Sequence, residues 1–194
     1  MKRTIPFALL LLAGLGAFAQ TTLRVRGTIT GLNGDVLSVK SREGKEVQLQ
    51  LAPDTAVLVA KATTLAEIKP GTYLGSTTMK RADGTLVAKE VHTLSPQVPQ
   101  GHIPWDLEPG SMMTNANLTG IAQSTGGQEI TLQYKDGTQK ILVPPGTPIV
   151  TFVPGDRSAL KPGETIFTSA RVESDGKMSV QRIQVSKDGA RPAH

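Results

Sequence analysis

The sequence predicts an all-β fold of two tandem six-stranded small barrels, each carrying one short helical turn, joined by an ordered proline-rich linker. Two observations lead there. Short runs rich in Val, Ile, Leu and Thr, separated by Asn-Gly, Asp-Gly, Gly-Gly and Pro-Gly, fill the chain after residue 20, and no long stretch has helical periodicity. The spacing of those runs is also written twice.

The first element is a leader. In MKRTIPFALLLLAGLGAFAQ, Lys2 and Arg3 precede an apolar run from Ile5 to Leu15 and then Ala17-Phe18-Ala19. This is the layout of a secretory signal peptide cleaved after Ala19, and it predicts a periplasmic or secreted product. The run is shorter than the roughly 20 residues a spanning helix needs, so the mature chain reads as soluble, with no membrane span. No cysteine is present, which removes disulfides, thiolate nucleophiles, cysteine metal sites and a lipoprotein anchor together. Loss of Lys2 and Arg3 takes the formal charge from +5 to +3, a modest excess. With export, that argues against nucleic acid as partner; Arg24 and Arg26 read as a solvated strand face.

The strands follow in order. Leu23 to Thr30 alternates and meets Asn33-Gly34; Val36 to Val39 runs to Glu43-Gly44; Val47, Leu49 and Leu51 continue to Pro53. Each has one apolar face, and the turns make two hairpins. A Thr-led strand, Thr55 to Ala60, comes next. Thr64-Leu65-Ala66-Glu67 has the capping-box pattern of a helical turn, stopped by Pro70-Gly71. A last hairpin closes at Asp83-Gly84.

The set then recurs. Gly27, Gly34 and Gly44 return 93 residues later as Gly120, Gly127 and Gly137, and Leu37 and Val39 as Ile130 and Leu132. At an offset of 92, Thr55 matches Thr147, Ile68 Leu160, Lys69-Pro70-Gly71 Lys161-Pro162-Gly163, Asp83-Gly84 Asp175-Gly176, and Val91 Ile183. Turn glycines and inward aliphatics are kept, which is what a duplicated fold retains. Closing each copy into a barrel removes the edges six short strands leave. The expected boundaries are 1–19 for the leader, 20–94 and 117–187 for the barrels, 95–116 for the linker and 188–194 for a disordered polar tail. The cores must be aliphatic, because Tyr73, Trp105, Tyr134, Phe152 and Phe167 are the aromatics outside the leader.

Gly27-Thr28-Ile29, Thr55-Ala56-Val57, Leu65-Ala66-Glu67-Ile68-Lys69-Pro70-Gly71 and Ala88-Lys89-Glu90-Val91 together make a pattern that resembles a bacterial family of exported domains of unknown function. The resemblance implies OB-like barrels. Similar proteins carry a segment like Pro104-Trp105-Asp106-Leu107 followed by Met113-Thr114-Asn115-Ala116 between the barrels. Some bear the label metal transporter permease, which this chain does not support, since it offers no span beyond the leader.

Catalytic patterns are thin, and the expectation is that the protein is not an enzyme. The glycine pattern Gly14-Leu15-Gly16 sits in the leader and opens no βα unit. Ser158-Ala159-Leu160-Lys161 has the S-x-x-K spacing of exported serine acyltransferases. Its repeat counterpart of Ser158 is Ala66, so the serine reads as a helix cap. His92 follows the inward Val91 and reads as a surface residue; His194 ends the tail.

The linker concentrates the rare side chains. Pro96, Pro99, Pro104 and Pro109 with Gly101 and Gly110 predict an extended, semi-rigid strap over one or both barrels. Burial of Trp105 would fix it there. His102, Trp105, Asn115 and Asn117 are the candidate ligand-binding residues, for an envelope protein or a small ligand, with no cofactor. The alternative is a soft-metal site for copper or silver built from His102, Met112 and Met113, beside the aromatic face of Trp105. Consecutive methionines on an extended chain point to opposite sides, which counts against it.

Overall fold

The computed structural model describes residues 21–192; the leader, Gln20, Ala193 and His194 lie outside them. The chain is all-β. Its strands are β1 (Thr21–Asn33), β2 (Val36–Ser41), β3 (Glu46–Ala62), β4 (Tyr73–Lys80), β5 (Leu86–Thr93), β6 (Gly101–Pro104), β7 (Met112–Ser124), β8 (Gly127–Tyr134), β9 (Gly137–Val143), β10 (Ile149–Gly155), β11 (Thr165–Val172) and β12 (Met178–Val185). Two 3-10 turns, Leu65–Glu67 and Arg157–Ala159, are the helical pieces among the described residues. Among the described residues no helix is long and apolar enough to cross a membrane.

β1, β2 and β3 form a meander, β1 pairs with β11, β11 with β12, and β12 runs parallel to β3, which closes a five-stranded barrel. A second cycle of five strands, β4, β7, β8, β9 and β5, closes through the short parallel pairing of Leu86-Val87 with Ile141-Leu142. These are called ring A and ring B. Neither follows the repeat boundaries. Ring A takes three strands from the first copy and two from the second, and ring B does the reverse.

The cores mix the copies accordingly. Val25, Ile29, Leu37, Val39 and Leu49 pack with Leu160, Ile166, Val180 and Ile183 in ring A. Leu65, Leu74 and Val91 pack with Leu118, Ile130, Leu132 and Ile141 in ring B. Each 3-10 turn therefore seals the barrel that its own copy does not begin.

The exchange has a local cause. The third and fourth strands expected in the first copy run through Pro53 as the single strand β3, and its second half, Thr55–Ala62, is extended and contains no glycine. One edge of it stays in ring A, where Ala56–Val59 run parallel to β12 and Val57 and Val59 join the core. Its other edge pairs with β10, its counterpart in the second copy, in an antiparallel register that sets Ala60 opposite Phe152. Those two residues are equivalent at the 92-residue offset, so a pseudo-twofold axis passes between them. In the second copy Pro144-Pro145-Gly146 separates β9 from β10, because two prolines in succession remove two ladder donors.

Several predicted details recur. Gly71 and Gly163 both hold positive φ, at 87° and 93°, in the Lys-Pro-Gly turns, a conformation glycine adopts without a Cβ clash. The Thr64 amide donates to the Glu67 carboxylate at 3.0 Å, as a capping box requires.

Others differ. The segment expected as a disordered tail makes a bridge between Lys187 and Ala190, and Ala190 packs with Ala60 and Val150 at the crossover. His92, expected on the surface, is 3 % exposed. It does point out of ring B, but that outer face is covered: Phe152 of β10 sits edge-on to the imidazole at 6.4 Å, and Gly75 opposite leaves room that a Cβ would fill.

Candidate functional site

The linker folds as a β-hairpin. Gly101–Pro104 pairs with Met112–Asn115, a stretch of β7 whose other edge pairs with β4 of ring B. Proline is tolerated because β6 is a short edge strand. At the tip, residues 105–111 close on themselves. The Trp105 amide donates to the Ser111 carbonyl at 2.8 Å, and the Ser111 hydroxyl donates back to the Trp105 carbonyl at 3.0 Å. Ser111 is buried at 2 % exposure, so this loop has a polar core of its own.

The tip lies on ring A. Arg26, from β1, donates a fork of hydrogen bonds to Asp106 at 2.8 and 3.2 Å, and Arg24 approaches the same carboxylate at 3.5 Å. The Arg24 guanidinium stacks over the Trp105 ring at 4.1 Å. Arg26 lies between two rings, 5.7 Å from the Trp105 centroid and 4.9 Å from that of Phe167 on β11. Glu108 pairs with Lys89 of β5 at 2.9 Å, so the arm is clasped from both rings. Burial works to raise the Asp106 carboxyl, but the hydrogen bond from Arg26 and the charges of Arg26 and Arg24 outweigh it and hold the group below the usual carboxylate range.

A groove of about 350 Å3 opens where the tip meets β1 and the β2–β3 turn. Leu23, Val47 and Leu107 supply its apolar wall; Arg24, Arg42 and Lys45 face Asp106 and Glu43 around it. That size falls within the range of small-molecule sites, about 300–1,000 Å3.

The predicted site residues are spread along the arm. Trp105 is half-buried at the tip, next in sequence to Asp106 of the groove wall. His102 lies at the base, its Nδ1 hydrogen-bonded with the Thr114 hydroxyl at 2.8 Å, and burial pushes its pKa below the ordinary histidine value. Asn115 donates to the Pro99 carbonyl at 3.3 Å, and Asn117 stands between Tyr73 and Gln133 in the sheet. Neither asparagine nor His102 lines the groove. Met112 and Met113 point to opposite faces of β7: Met113 is 3 % exposed, while Met112 is half-buried on the face that His102 shares.

The basic residues around the groove are what the sequence reading passed over. Arg24-x-Arg26 was legible as one face of a strand. Its partner Lys40-x-Arg42 becomes visible only with the register of the first hairpin, which sets Thr28 against Lys40 and lets the Arg42 amide donate to the Arg26 carbonyl at 3.2 Å. Comparison with known proteins finds no family model, no curated protein and no solved structure that matches this chain.

Proposed function

We propose that the protein is an exported, non-catalytic binding or scaffolding module of the cell envelope, built on two OB-like barrels, and that its ligand occupies the groove beneath the hairpin arm. The observation that carries this reading is the groove itself, walled by Asp106 and Leu107 beside the lone tryptophan. The OB-like description is supported by the ring order, first, second, third, fifth and fourth strand of the motif, with the third and fifth parallel. Export is supported by the leader pattern alone.

Trp105 is its own reporter. Titration of the purified chain with soluble envelope components, peptidoglycan fragments first, is expected to shift Trp105 emission saturably, and Leu107→Ala to weaken that response. Emission that ignores every such component makes the arm a structural clasp and overturns the groove as a binding site. Fractionation with mass spectrometry tests export separately: a chain starting at Gln20 in the envelope fraction supports it, and a full-length chain in the cytosol sinks it.

A further inference from the structure

A second cleft, of about 150 Å3, adjoins the groove and shares Arg26, Ser41 and Arg42 with it. Arg26, Lys40, Arg42 and Arg191 line it, and no acidic residue does. Three neighbouring strands bring these groups together, since Thr28 pairs with Lys40 on one side and with Thr165 on the other. The C-terminal segment adds Arg191, held in place by the burial of Ala190.

Two further features point to a ligand. Arg26 Nε and Thr165 Oγ1 are buried polar atoms that meet no hydrogen-bond partner, and both residues line this cleft. Leaving such atoms unpaired is costly, so native proteins do it rarely, and a bound ion or water is one way the set is completed. The cations also crowd one another. Burial, and after it the charge of Arg26, depress the Arg42 pKa, and the nearby Glu90, Glu43 and Asp106 do not cancel the effect.

We propose that this cleft binds a tetrahedral oxyanion of the phosphate type, free or as the terminal phosphomonoester of a small molecule whose remainder lies in the adjoining groove. The second form alone rests on the groove reading above. Arg26 is already forked onto Asp106, so Lys40, Arg42 and Arg191 supply the charge that disfavours a metal ion and matches an oxyanion, and guanidinium groups suit phosphate oxygens. The volume is too small for a drug-sized ligand but ample for one oxyanion. The cations line one small cleft instead of the extended track that a nucleic-acid backbone requires.

The test is calorimetric titration of the purified chain with inorganic phosphate. One phosphate per chain is expected, weakened about tenfold or more by Arg191→Ala and by Arg42→Gln and unchanged by Lys140→Ala. Thr165→Val removes the unpaired hydroxyl and keeps the shape. It is expected to melt no lower than the native protein without phosphate, yet to bind phosphate more weakly. Glycerol 3-phosphate separates the two sources: an ester that binds more tightly than phosphate, with the advantage lost in Lys45→Ala, places the remainder in the groove, and equal binding marks a site for the free ion. No saturable binding up to ~10 mM phosphate, or binding that Arg191→Ala and Arg42→Gln leave intact, overturns the proposal. Neither result bears on the Trp105 response, so failure of the cleft and failure of the groove are read separately.

Discussion

Arg26 joins β1 to the hairpin arm and to β11. Its guanidinium forks onto Asp106 and lies between Trp105 and Phe167, while its buried Nε meets no hydrogen-bond partner. A lysine keeps the charge but loses the fork and the flat stacking surface. Arg26→Lys is therefore expected to lower the melting temperature, by a loss on the order of 1–2 kcal/mol, and to red-shift Trp105 emission as the tip loosens. An unchanged spectrum would mean that Arg24 alone seats the tryptophan. Strand alternation puts His92 on the outside of ring B, but alternation cannot say that Phe152 of β10 covers that outside.

For the hairpin arm, the clasp is electrostatic and so has a pH signature. The folded-state pKa of Asp106 is depressed, so its contribution is complete above the unfolded value, near 4, and is lost as pH falls through the lower folded value. Trp105 emission is expected to hold steady from neutral pH down to about pH 4 and to change below it, ahead of global unfolding monitored by circular dichroism. Half of the Asp106 side chain's neighbourhood is solvent, so high salt should bring the change to a higher pH by screening the pair. A transition centred near pH 6 would point to histidine and away from this clasp. The prolines and glycines of the linker suggest an extended strap. Its hairpin form was hidden because β6 has four residues and pairs with Met112–Asn115, the stretch of β7 whose other edge β4 holds.

The described residues form a closed five-stranded barrel and a second ring of strands, each drawing on both copies, and that sharing makes the copies interdependent. Separately produced fragments 20–94 and 95–194 are expected to be unfolded or aggregated alone and to regain the native circular dichroism spectrum on mixing, since each core draws on both. Two fragments that each melt cooperatively on their own would show that the copies close independently. The sequence by itself determined the all-β class, the turns, the duplicated pattern and the inward aliphatics. Those follow from short-range rules: side-chain alternation with a period of two, and turn geometries that demand glycine. It did not determine which copy completes which barrel, because the two copies carry the same pattern and either set of strands satisfies it. The long, glycine-free β3 and its pairing with β10 decided that. Other long-range pairings decided the rest of the site. The β1–β11 register brought Thr165 beside β1, the first hairpin set Arg42 beside Arg26, and the fork from Arg26 seated Asp106 of the arm, at separations no local signal spans.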